Sequence, residues 1–173
     1  MLMACTISVS ARVPEIAEKE SAICTMNYFA ENPAPGSVYG EYQPTATLHT
    51  IYFDHNVYEN GLKGMNIHLD LHINNAQGRK CRVNFFFYYK NGDKLMDNNG
   101  KYRTPDGQCV VNKVVVPGYD NTHYSDLVVF MPNREFEFDG TRAELKCLVR
   151  VYDIDWGRFI EREKISRSFN MTR

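Results

Sequence analysis

The stretch Met65-Asn66-Ile67-His68-Leu69-Asp70-Leu71-His72-Ile73-Asn74 decides the fold. Met65, Ile67, Leu69, Leu71 and Ile73 fall on one side, and Asn66, His68, Asp70, His72 and Asn74 on the other. Successive side chains of a strand point to opposite faces. An unbroken period of two is therefore the pattern of a half-buried antiparallel strand, with one face on a core and one in water.

Working outward, similar patterns recur. Leu48 to Phe53 is a shorter run of the same kind, and Cys81, Val83, Phe85, Phe87 and Tyr89 form the inner face of another strand. Val110 to Val116 is rich in β-branched residues, and Leu127-Val128-Val129-Phe130-Met131 is ended by Pro132. Arg134-Glu135-Phe136-Glu137-Phe138 alternates and stops at Asp139-Gly140, which reads as a hairpin turn. The long strand predicted across that turn carries Ala143, Leu145, Cys147, Val149 and Val151, and Ile165 to Met171 closes the set. Asn91-Gly92, Asp97-Asn98-Asn99-Gly100 and Pro105-Asp106-Gly107 supply further turns. The expectation is an all-β fold, a two-sheet antiparallel β-sandwich of about eight strands.

Residues 1–46 read differently. Arg12 and Lys19 stand against Glu15, Glu18, Glu20, Glu31 and Glu41. Pro14 followed by Ile16, Ala17, Ala22, Ile23, Met26 and Phe29 predicts one short helix, with Pro near its first turn. Asn32-Pro33-Ala34-Pro35-Gly36-Ser37 reads as a linker. The expected organisation is an N-terminal segment over 1–46 and the sandwich domain over 47–173.

Composition agrees. Of 173 residues, 43% are hydrophobic, and 11 Tyr and 10 Phe supply material for a core. Lys+Arg number 20 against 21 Asp+Glu, a net charge of −1, which disfavours a protein that lives on nucleic-acid phosphates. No apolar run approaches the ~20 residues of a membrane-spanning helix. The five cysteines, Cys5, Cys24, Cys81, Cys109 and Cys147, form no CxxC pair, so zinc-knuckle and thioredoxin-type sites are not expected. No signal peptide is read, and the expected location is cytoplasmic. The alternative is a cell-envelope lipoprotein with its start upstream of Met1, because Leu2-Met3-Ala4-Cys5 is similar to the tail of a bacterial lipoprotein signal and would place a lipid on Cys5.

Three groups of polar residues invite a functional reading. His68, Asp70 and His72 share a face, and two imidazoles with a carboxylate suit a divalent metal. However, positions i and i+4 on a strand lie roughly 13 Å apart, too far for one ion, so an interstrand hydrogen-bonding face is expected instead. Asp93, Asp97, Asp106, Asp120, Asp126, Asp153 and Asp155 lie in or beside turns and could serve calcium if they converged. Asp is also simply a turn residue, and the spacing of an EF-hand is missing. Arg158, Arg162, Lys164 and Arg167 form a basic C-terminal cluster, read as a solvated face. Phe86, Tyr88, Tyr119, Tyr124 and Trp156 are the aromatics available for either core packing or a binding surface. No G-x-S-x-G, P-loop or H-E-x-x-H is present, and no catalytic, cofactor-binding or metal-ligating residue is assigned.

A resemblance accompanies these patterns. The run His55 to His68, then Tyr88-Tyr89-Lys90-Asn91-Gly92, Tyr102-Arg103-Thr104-Pro105-Asp106-Gly107-Gln108, Tyr124-Ser125-Asp126-Leu127 and Phe130-Met131-Pro132-Asn133-Arg134-Glu135 resemble an uncharacterised bacterial β-sandwich domain family. The resemblance spans residues 52–171 and implies a C2-like or immunoglobulin-like sandwich that often ends longer proteins. It implies no catalytic residues, and Asn133 stands where an aromatic is expected. The functional expectation is a non-enzymatic accessory module that binds another protein, or a second copy of itself, through a sheet face or edge. Two alternatives are a C2-like calcium or membrane-surface binder and an envelope lipoprotein with a glycan-binding sandwich.

Overall fold

The ten alternating residues form most of β2 (Leu62–Asn74), the central strand of a three-stranded sheet. The computed structural model describes residues 43–172. β1 (Thr45–Glu59) and β5 (Asn121–Pro132) flank β2, both antiparallel to it. The second sheet orders β4 (Val110–Val115), β3 (Cys81–Tyr89) and β6 (Arg142–Asp153), with β7 (Arg158–Phe159) and β8 (Ile165–Thr172) both pairing β6. The expected all-β, two-sheet antiparallel architecture is thus present. The expected helix over residues 14–29 and the linker lie outside the described residues.

The inner faces meet over one apolar core. Ile67, Leu69, Leu71 and Ile73 from β2 oppose Val83, Phe85 and Phe87 from β3 and Leu145, Cys147, Val149 and Val151 from β6, all of them buried. Each fully buried side chain of this size contributes roughly 1.5–3 kcal/mol. The alternation of β2 therefore fixes its register strongly, since a one-residue slip would turn His68 and Asp70 inward. Cys81, Cys109 and Cys147 are free and buried. Burial, helped by the charge of Asp153, pushes the Cys81 thiol up to about 11.

β1 and β2 are joined by Asn60-Gly61, both at positive φ (50° and 76°), the backbone of a tight two-residue hairpin. This turn lets β1 run through Glu59, well past the expected end at Phe53. A bulge with Asn56 at φ 62° interrupts it between His55 and Val57.

The expected strand Arg134–Phe138 does not form. Residues Asn133–Glu135 make a 3₁₀ turn, and Asp139-Gly140 is not a hairpin: β6 pairs β3 and β8 instead. Phe136 and Phe138 do enter the core, as the alternation requires. Glu135 is the reason no ladder follows. Its side chain is buried, where it accepts from Asn99 Nδ2 (2.8 Å) and Arg134 Nε (2.8 Å), so the chain is tied to the 97–102 loop rather than to a neighbouring strand. Asp97 is buried in the same loop and accepts from the amides of Asn99, Gly100 and Tyr102.

Candidate functional site

The polar side of β2 carries a cross-strand array on the outer face of the three-stranded sheet. Registration places Tyr52 and Val128 beside His68, and Thr47 and His123 beside His72. His68 Nδ1 donates to Asp126 Oδ1 at 2.7 Å, while Nε2 faces Asp54 Oδ2 at 3.3 Å without hydrogen-bond alignment. The Tyr52 ring stacks on the His68 ring at 4.3 Å. Burial, then the carboxylates of Asp126 and Asp54, raise the Tyr52 phenol above its ordinary value. Next along the strand, His123 Nε2 donates to Asp70 Oδ1 at 2.9 Å, and His49 Nε2 lies 3.1 Å from His72 Nδ1.

His68, Asp70 and His72 therefore each find a partner on a different strand instead of converging. Among the described residues no group of three or more His, Cys, Asp and Glu is placed to hold a metal ion. What the array does physically is hold β1, β2 and β5 together on their wet side, through charge-assisted hydrogen bonds.

The acidic turns do not converge either. Asp120, Asp153 and Asp155 lie at one end of the sandwich, where β2 and β6 finish; Asp93, Asp97 and Asp106 lie with the loops at the other, and Asp126 sits on the sheet face. Side-chain oxygens of Asp93, Asp97, Asp106, Asp126, Asp153 and Asp155 already accept hydrogen bonds within the fold. Asp153 is buried, takes both Arg79 Nε (2.7 Å) and Nη2 (3.1 Å), and accepts from the amides of Asp155 and Trp156. Hydrogen bonds from Lys94 and Thr104 hold the Asp106 carboxyl below its usual value. The basic cluster is dispersed as well: Arg158 reaches Gln43 Oε1 at 2.9 Å and stacks on Trp156, whereas Arg167 Nη1 donates to the Ile51 carbonyl at 2.9 Å.

A concave site lies elsewhere, on the side of the sandwich where β4 and β5 are both edge strands. A groove of about 600 Å³ opens between the two sheets there. Tyr102, Val111, Phe130, Pro132, Leu62 and Lys113 are among its walls. Gly64 shapes it: a Cβ at that position would sit 2.3 Å from Phe130 Cζ and 2.6 Å from the Met131 carbonyl oxygen. Only a glycine allows the Phe130 ring to lie against β2. Val114 and Val116, exposed by 48% and 52%, and Tyr119, exposed by 74%, border the same side.

Lys113 Nζ crosses the groove and donates to the Val128 carbonyl at 3.0 Å. That carbonyl thus points away from β2. In a strand the amide and carbonyl of one residue point to the same side, and the next-but-one residue repeats the direction. The backbone groups of Val128 and Phe130 therefore face the free edge.

Sequence reasoning missed this site, because Gly64, Tyr102 and Phe130 are far apart in the chain and no motif joins them. Of the aromatics singled out, Trp156 and Tyr119 are exposed, Tyr124 packs partly against the core, and Phe86 is buried on the outer face of the five-stranded sheet. Among the described residues no helix is long and apolar enough to cross a membrane. No protein-family model matches the chain, and no curated protein matches it.

Proposed function

We propose that this domain is a non-enzymatic, immunoglobulin-like binding module that takes a second protein chain, as an extended segment, along the free edge of β5. The strand order supports the immunoglobulin-like reading over the C2-like one. Read as A-B-E facing C′-C-F-G, the orders β1-β2-β5 and β4-β3-β6-β8 are consistent with those of such a sandwich. Fold alone names no ligand, so the function rests on the site.

The observation that carries the reading is the β5 edge: the outward Val128 amide and the outward backbone groups of Phe130 beside a groove with aromatic walls, the Val128 carbonyl being held by the exposed Lys113. Unpaired edge groups are a template for an added strand, which gains affinity from main-chain hydrogen bonds and selectivity from side-chain pockets. The groove would take every second side chain of the added segment.

The test is a peptide-display library panned on the immobilised full chain, followed by hydrogen exchange of the chain with a selected peptide. Slowed exchange at the amides of Val128 and Phe130 is expected. Protection confined to the His68 face, or no selected peptide, would overturn the reading. Light scattering that reports a dimer with the same protected amides would identify the partner as a second copy.

A further inference from the structure

We infer, on the reading that β5 takes an added strand, that the groove selects a partner segment of defined charge order: a basic residue, an apolar one two positions later and an acidic one two positions beyond that. The groove carries one charge of each sign. Among its lining residues Lys113 is the cation and Glu59 the anion, and the others are uncharged. They stand toward its two ends. Lys113 is registered with the inward-facing Val83 of β3, so its side chain starts on the inner side of β4 and reaches across to the Val128 carbonyl. Glu59 stands beside the β1–β2 turn, paired with Leu62, while Gly64, two residues on, pairs with Pro132. Val128 and Pro132 are four residues apart on β5, roughly 13 Å at strand spacing. Burial, then the Glu135 carboxylate, raise the Tyr102 phenol above its ordinary value; Arg134 opposes them, and Glu59 adds to the rise. Glu59 therefore acts at the Tyr102 wall, where Arg134 is already held by Glu135 at 2.8 Å. Between the charges, Phe130 on β5 and Val111 on β4 leave apolar surface.

Lys113 makes the site selective. An added strand needs the Val128 carbonyl for one of its own amides, so it displaces the ammonium group. Under a neutral strand that ammonium loses water and gains no partner, and an inward charge at a sheet edge is a device against indiscriminate pairing. A carboxylate on the arriving segment removes the cost by forming a charge-assisted hydrogen bond. Lys113 thus rejects neutral strands and admits an acidic position, so repulsion and attraction both contribute to the choice. Glu59 asks for the opposite charge at the other end. Direction follows from the sheets, in which every pairing between named strands is antiparallel. A segment antiparallel to β5 runs from Pro132 toward Val128, meeting Glu59 first and Lys113 four residues later. Every second side chain of a strand shares a face, so base, apolar residue and acid all turn to the groove together.

The test pans the peptide-display library on the full chain and, in parallel, on Lys113→Met and Glu59→Gln, each checked for a cooperative melting transition. Both side chains are exposed, so both variants should fold. Peptides selected on the unaltered chain are expected to carry a base and, four residues later, an acid. Lys113→Met should lose the enrichment in acid and keep that in base, and Glu59→Gln should do the reverse. In a selected peptide, replacing the acid by its amide should weaken binding about fivefold on the unaltered chain and leave it unchanged on Lys113→Met. Peptides that slow exchange at Val128 and Phe130 but lack either charge, carry the acid before the base, or keep the pair on both variants overturn this inference and leave the β5 edge standing. Failure to select any peptide overturns both.

Discussion

Along one side of the sandwich the two sheets are tied together; along the other they only approach. On the tied side, the Ala46 amide donates to the Ile160 carbonyl at 2.8 Å, and the Arg162 amide donates to the Ala46 carbonyl at 3.1 Å. Arg167 crosses to the Ile51 carbonyl, and Phe169 packs its ring 4.9 Å from Phe53. Backbone, guanidinium and aromatic contacts together close that margin. On the β4/β5 side, Lys113 makes one cross-sheet hydrogen bond over an open groove. Closure serves stability, because it removes edge groups that would otherwise pair with other chains. An edge left open in an otherwise well-packed fold is where a partner can add.

The contrast can be broken most forcefully at Phe169. Its ring meets Phe53, Phe136 and Phe87 and is buried, so Phe169→Ala should destabilise the domain by about 3–5 kcal/mol in urea unfolding. A loss below 1.5 kcal/mol, a threshold of roughly half the usual lower bound, would show that the tied side does not hold the sheets together. Glu161 comes next. Its carboxylate is buried, pairs with Arg150 and accepts the Val151 amide at 3.1 Å. Glu161→Ala leaves both donors without it and should cost about 3 kcal/mol; Glu161→Gln, which keeps the acceptor, should cost clearly less.

On the open side the expected effects shrink and change kind. Gly64→Ala forces the Phe130 ring or the Met131 carbonyl to move, at a cost of about 1–3 kcal/mol. It should also weaken binding of any edge-selected peptide, since Phe130 would leave the groove wall. An unaltered affinity would separate the groove from the edge. Lys113→Met has the smallest expected effect, a stability change below about 1 kcal/mol, because its ammonium group is exposed. It should nonetheless raise hydrogen-exchange rates near Val128 in the free chain. If Lys113→Met proves as costly as Glu161→Ala, the two sides are not finished differently.

The residues that decide this contrast were read from the sequence to unequal degrees. β2 was plain because its information is local: ten alternating residues dictate a face whatever packs on it. The same rule misread Arg134–Phe138. There the alternation is real, and Phe136 and Phe138 do go inward, yet Glu135 is buried against Asn99 and no strand lies alongside. Periodicity reports which side chains turn toward the core; it does not report whether a neighbouring backbone is present to pair. His68, Asp70 and His72 show the converse. Their shared face was evident, and so was the distance that keeps them from one ion, but not that Asp126, His123 and His49 would take one each.

The sequence by itself determined the fold class, the inner faces of β2, β3 and β6, and the polar character of the three-stranded sheet's outer face. These depend on the two-residue repeat of a pleated chain and on the cost of burying the wrong side. Tertiary structure alone decided which strands became edges, that Gly64 would make room for Phe130, and that Phe86 would be buried on an outward face. Each of those depends on contacts between residues tens of positions apart, and edge and groove exist only once the two sheets have been laid against each other.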